Sequence, residues 1–210
     1  MTKIKNLAGL AACGLILGIS QISQAAVIDF NSHSPALDGS NPIFDSGFRF
    51  DFNASGWGVF GPGSGACCNV NYNGTTSLFA DGDKHGKNAS SLMTPTTGGT
   101  FSIFSLDASV YWTGATGTLD IIGNLFGGGT VTTSLSISST WQNFLLPGTF
   151  TNLVSVEFRD SQSGSFLSAP GFGVDNINIT PVPEPETYAM LLAGLGLLSL
   201  MVRRRNESAA

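Results

Sequence analysis

Five aromatic side chains could hold a sugar: Trp57, Tyr72, Tyr111, Trp112 and Trp141. A flat ring covers the C–H face of a pyranose, and neighbouring amides or carboxylates meet its hydroxyls. Trp57 stands between Gly56 and Gly58, where small neighbours in a loop leave a ring accessible. Asn69, Asn71 and Asn73 surround Tyr72. Trp57, Tyr72 and Asn71 are therefore the candidate carbohydrate-binding residues. The competing use of such rings is to fill a core, above all for Trp112 and Trp141, which fall in strand-like stretches. Cys67-Cys68 offers thiol chemistry of a constrained kind. Adjacent Cα atoms lie about 3.8 Å apart, against roughly 4.4–6.8 Å across an ordinary disulfide. A Cys67–Cys68 bridge thus needs a distorted turn, and pairing with another molecule is the other outlet. Adjacent thiols do not match the C-x-x-C spacing of zinc or redox sites.

Catalytic constellations are thin. A glycosidase needs two carboxylates flanking the scissile bond. Glu157 is the sole Glu between the two ends of the chain, and it alternates with apolar residues. His33 and His85 are isolated, and no Gly-x-Ser-x-Gly elbow occurs. Asp81-Gly82-Asp83 is an oxygen-rich turn without the closing Glu of an EF-hand loop. The expectation is no catalytic residue and no enzyme, with a polysaccharide hydrolase as the weaker alternative.

Composition narrows the class further. The 210 residues carry a formal charge of -5, and charged residues make up only 11%. Between Ala26 and Thr180 there are four basic and eleven acidic side chains, a balance of -7. That excludes a nucleic-acid binder, which needs a basic stripe for phosphates. A hydrophobic fraction of 42% argues against a disordered chain.

Both ends read as addresses. Lys3 and Lys5, the apolar run Leu7–Ile19 and the small residues of Ser23-Gln24-Ala25 make residues 1–25 a secretory signal peptide. At the other end, Pro181-Val182-Pro183-Glu184-Pro185-Glu186 excludes a helix interior or a central strand, because proline fixes φ and lacks a donor. Residues 181–187 are thus a stiff stalk. Tyr188 to Val202 follows without a charge, then Arg203, Arg204 and Arg205, and a tail over 206–210. A helix of that length covers about 22 Å, short for a hydrocarbon core of about 30 Å. The arginines stay on the cytoplasmic side, so the bulk of the chain is exported.

This end resembles the PEP-CTERM sorting signal of Gram-negative bacteria. Val182, Pro183, Glu184 and Pro185, the short apolar helix over 188–205 and the cluster Arg203, Arg204, Arg205 carry the resemblance. It implies processing by exosortase, transient insertion in the inner membrane, and a place at the cell surface or in the extracellular matrix after processing, in a bacterium that makes exopolysaccharide.

The middle, residues 26–180, reads as one all-β domain. Phe48, Phe50 and Phe52 alternate with Arg49 and Asp51, and Val131, Thr133, Leu135 and Ile137 with Thr132, Ser134 and Ser136. Val154–Phe158 and Phe172–Asp175 do likewise, and Val27–Asn31, Thr100–Ser105, Ala108–Trp112, Leu119–Gly123 and Trp141–Leu146 are further strand candidates. A period of two is a strand with one wet face. Gly127-Gly128-Gly129 and Pro147-Gly148 are turns. Without crossover helices the sheet must be antiparallel, as a sandwich or barrel.

From Phe101 onward the domain resembles other PEP-CTERM proteins with a jelly-roll domain. Gly99-Thr100-Phe101-Ser102-Ile103, Leu119-Asp120-Ile121-Ile122-Gly123 and Gly129-Thr130-Val131-Thr132 carry this. Phe172-Gly173-Val174-Asp175-Asn176-Ile177 is also similar to the last strand of galactose-binding-like carbohydrate modules. That resemblance implies an antiparallel jelly-roll β-sandwich. It also implies a structural calcium ion on Asp29 of the first strand and Asp175 of the last, as the sole cofactor. The partners implied are exopolysaccharide or other surface glycans, in biofilm or floc formation. The alternative is a self-associating matrix protein without a specific ligand.

Overall fold

The computed structural model describes residues 25–34, 41–54, 56–62, 70–82, 88–161, 170–182 and 192–197. Residues Ser23–Glu184 form one compact unit. Of the other unit, Met1–Ile22 with Pro185–Ala210, the described part is a short helix over 192–197. Among the described residues no helix is long and apolar enough to cross a membrane. The signal peptide and most of the expected 188–205 helix lie outside the described residues.

Among the described residues twelve strands build the compact unit: β1 (Ala26–Ile28), β2 (Ile43–Asp45), β3 (Phe48–Asn53), β4 (Gly56–Phe60), β5 (Ser77–Asp81), β6 (Ser90–Pro95), β7 (Thr100–Val110), β8 (Thr116–Leu125), β9 (Thr130–Ser138), β10 (Gln142–Leu145), β11 (Leu153–Asp160) and β12 (Phe172–Val182). Every strand pairing is antiparallel. One run of pairing follows β9-β8-β11-β6-β3-β2, and the other β10-β7-β12-β5-β4. A single residue pair, Leu153 with Phe101, joins the two runs. The first strand β1 pairs with the last, β12. This is an antiparallel jelly-roll β-sandwich.

The core lies between the two runs. Phe48, Phe50, Phe52, Met93, Val156, Phe158, Leu119 and Ile121 face it from the first sheet. Phe101, Ile103, Leu106, Ala108, Val110, Phe172, Val174, Ile177 and Ile179 face it from the second. The second set is out of phase with itself. β7 sends odd residues inward up to Ile103 and even residues from Leu106. β12 sends even residues up to Val174 and odd residues from Ile177. The register shifts between Asp175 and Asn178 and again between Asn178 and Ile179, beside Phe104. Paired bulges of this kind bend both strands while keeping each apolar side chain inside. Asn176 takes φ 47 to close its bulge, a left-handed conformation that asparagine adopts more readily than most residues.

This corrects the strand assignment over Thr100–Ser105 and Ala108–Trp112. The two stretches are one strand, and the break in alternation is a bulge rather than a turn. The strands β2, β4, β5 and β6 escaped the sequence analysis. β5 is buried throughout and so shows no alternation, while β2 has only three residues.

Phe158 has no exposed surface. Phe158→Ala is expected to cost about 3–5 kcal/mol, which lowers the melting temperature by about 6–20 °C in a domain of this size. Thermal unfolding followed by circular dichroism measures it, and an unchanged midpoint would contradict this core.

Candidate functional site

The outer face of the second sheet carries most of the unusual side chains. Leu78 and Ala80 point into the core, so Phe79 and Asp81 point outward; the same alternation turns out Phe60 in β4, Gly173 and Asp175 in β12, and Asp107 and Ser109 in β7. A second apolar cluster forms there. Phe60, Val70 and Phe79 are buried, with Tyr72, Tyr111 and Trp112 packed against them. Tyr111 stacks on Phe79 at 4.8 Å, and Phe60 meets the edges of Tyr72 and Tyr111 at 5.4 and 5.6 Å.

Trp141 extends this ring field. A methyl group at Gly173 would lie 2.9 Å from Cη2 of Trp141, so only glycine lets the indole lie against β12 there. The indole Nε1 donates to the Asn71 carbonyl at 3.2 Å. Asn71 is fixed in turn: its N–H donates to the Tyr111 carbonyl at 2.9 Å, and Val70 forms a bridge with Trp112. Residues 70–76 thus act as a strap across the face, tying Tyr72, Tyr111, Trp112 and Trp141 together.

A polar row runs beside Trp141. Asp175 and Asp107 are opposite neighbours on β12 and β7, and Asp107 is opposite Asn143 on β10. Like charges directly across a sheet repel, and amides intervene. The Asn176 backbone N–H donates to Asp175 at 2.8 Å, and its side-chain amide donates to Asp107 at 2.8 Å. Asn143 donates to the other oxygen of Asp107 at 2.8 Å. From the strap, the Asn73 amide and the Thr75 hydroxyl donate to Asp175 at 2.5 and 3.0 Å. Asp175 has no exposed surface; Asp107 and Asn176 are half-buried and Asn143 is exposed.

The structure sorts the expected site residues. Tyr72 and Asn71 lie on the outer face beside Trp141. Trp57 lies in β4 opposite Ala80, with its half-buried ring packed on the main core; it is a strand residue, not the loop residue expected. Trp112 and Trp141, expected in the core, stand on the outer face. Asp107 and Asn143 were not singled out in the sequence. The usable signal was Gly173, a glycine at an outward position in the alternating stretch Phe172–Asp175, which leaves a slot for a ring. Asp29 and Asp175 belong to one network without touching. Both Asp29 oxygens accept from Asn31, and Asn31 accepts from the Thr76 backbone, next to the Thr75 that holds Asp175. Asp175 accepts hydrogen bonds from the Asn73 amide, the Thr75 hydroxyl and the Asn176 N–H. Among the described residues no three His, Cys, Asp or Glu side chains converge as metal ligands. Cys67, Cys68, Pro183, Glu184, Pro185, Arg203, Arg204 and Arg205 lie outside the described residues, and Val182 ends β12.

Two of the buried carboxyls are hard to ionise. Burial pushes Asp175 up to about 6, against the pull of Asn73, the Asn176 N–H and Thr75. Burial also pushes Asp81 up to about 6, against its bonds from Trp112 and the Gly82 N–H, with the charge of Asp160 adding to the rise. Both would titrate near about 4 in the unfolded chain. The folded state therefore binds these protons more tightly. The stability they contribute is complete below about pH 4 and is lost as pH rises through about 6. Denaturant midpoints across that range should fall less in an Asp81→Asn/Asp175→Asn double variant than in the unaltered protein; equal falls would refute this assignment.

Several solved structures are similar to this chain. A variant of a family 29 carbohydrate binding module matches with TM-score 0.47 and 13% identity, over 75% of this chain and 91% of that one. A family 30 carbohydrate binding module matches with TM-score 0.42 and 15% identity, over 79% and 91%. The module TmCBM61, solved in complex with β-1,4-galactotriose, matches with TM-score 0.41 and 12% identity, over 73% and 94%. No curated protein matches the chain. Residues 181–205 match the family described as the PEP-CTERM protein-sorting motif. The Pro-Glu-Pro residues, the apolar run and the three arginines are therefore a sorting signal, and the chain is an exported β-sandwich protein that carries a PEP-CTERM motif over residues 181–205.

Proposed function

We propose that the exported domain binds polysaccharide across the outer face of its β10-β7-β12-β5-β4 sheet, and that this holds the protein in the exopolysaccharide of a biofilm or floc after exosortase has processed it. One observation carries the reading. The Trp141 ring, held against Gly173 and by Asn71, lies alongside the Asp107–Asn143 row. A ring for the C–H face of a sugar and fixed polar groups for its hydroxyls are the two halves of a glycan subsite. Tyr72, in the strap, supplies a second ring, and Asn71 holds the first in place.

The test is co-sedimentation of the processed protein with exopolysaccharide from cells that export it. Trp141→Ala and Gly173→Val should each weaken retention at least about tenfold, the equivalent of about 1.4 kcal/mol. Trp57→Ala should lower stability and leave retention in place, since its ring packs on the core. Retention unchanged by Trp141→Ala would remove this face as the site. The calcium proposed at Asp29 and Asp175 is read in the same assay: loss of retention in chelator supports it, and full retention removes any need for the ion. Replacing Pro183, Glu184 and Pro185 with alanine should leave a longer, membrane-fractionating form in cells that contain exosortase. Normal processing of that variant would sever the motif from sorting.

A further inference from the structure

The charges of the sandwich are distributed unevenly between its two outer faces. The described arginines, Arg49 and Arg159, stand on the outer face of the first sheet, where they pair with Asp51 at 2.6 Å and Asp120 at 3.7 Å. His33 lies beside Asp45 at 3.3 Å, in the turn after β1. On the outer face of the second sheet the charged side chains among the described residues are all carboxylates: Asp81, Asp107 and Asp175. Lys84, His85 and Lys87 lie outside the described residues. Asp81 and Asp175 are buried; Asp107 is half-buried, next to exposed Asn143.

Asp107 is also fixed in orientation. Each of its oxygens accepts one amide, from Asn143 on one side and Asn176 on the other. A carboxylate has about four lone-pair sites, so each oxygen keeps capacity for a hydroxyl donor. A sugar hydroxyl can donate there. A uronate, sulfate or other anionic group cannot, and it would be brought against a negative charge that is not free to turn away. Like-charge contact of this kind is a standard route to discrimination between ligands of similar shape.

We propose that the glycan taken by this face is a neutral one, and that Asp107 is the specificity-determining residue that excludes acidic sugars. The proposal rests on the glycan-binding reading above and narrows it. It is tested by affinity electrophoresis of the processed protein through gels containing a neutral β-glucan, a neutral galactan, a polyuronate or a sulfated galactan, each at low and high salt. The expected result is retardation by at least one neutral polymer, at least about tenfold stronger than by either acidic polymer at low salt. Asp107→Asn, which keeps the shape and removes the charge, should narrow that ratio. Retention by an acidic polymer that matches or exceeds the neutral ones at low salt, and collapses at high salt, would overturn the proposal while leaving glycan binding intact. An unchanged ratio in Asp107→Asn would overturn the role of Asp107. Retardation by none of the four polymers, from protein that still sediments with the exopolysaccharide of its own cells, would also overturn the proposal; failure in both assays would overturn the glycan-binding reading itself.

Discussion

The outer face of the second sheet is organised around a carboxylate that has no access to water. Asp175 sits in the middle of β12, between the half that pairs with β5 and the half that pairs with β1. A buried charge without partners costs several kcal/mol, so this position requires donors. They come from the Asn176 backbone, itself left-handed to close the bulge, and from Asn73 and Thr75 in the strap. The same contacts hold the strap, and the strap holds Trp141 through the Asn71 carbonyl. A bulge in the last strand and the aromatic face are therefore mechanically one feature. Loosening the first would release the second.

The fold was largely legible because most strands have one wet face. Phe48-Phe50-Phe52 and Val156-Phe158 report the core directly, and the structure places them there. Where alternation slipped phase, at Phe104 and at Asn176, the sequence looked like a strand end although the chain runs on as a single bulged strand. β5 was missed because both of its faces are covered, one by the core and one by the strap and its rings. A strand covered on both sides loses the polar half of its pattern.

The candidate site was legible in its chemistry and not in its placement. The five aromatic residues and the Asn-rich stretch were visible from residue type alone. Which ring faces which way depends on strand register, and a one-residue shift exchanges the faces. Trp57 shares the inward phase with Val59 and so packs on the core. Trp141 precedes β10, and its direction follows from the vacancy at Gly173 rather than from any alternation of its own. Asp107 gained its role from a partner in β10 and a partner in β12, contacts separated by 36 and 69 residues in the chain.

The two outer faces show why the fold alone does not assign the function. They share one core and the same antiparallel geometry. On the first sheet the outward residues include ion pairs, Leu92 and Phe44, with no tryptophan or tyrosine among them. On the second, glycine makes room for an indole, a strap braces four rings, and amides donate hydrogen bonds to neighbouring carboxylates. Holding Asp107 and Asp175 side by side is unfavourable in itself, and the structure spends four side-chain donors and one backbone N–H on the pair. Costly local features that survive in a fold mark the places where a sequence answers to something besides stability.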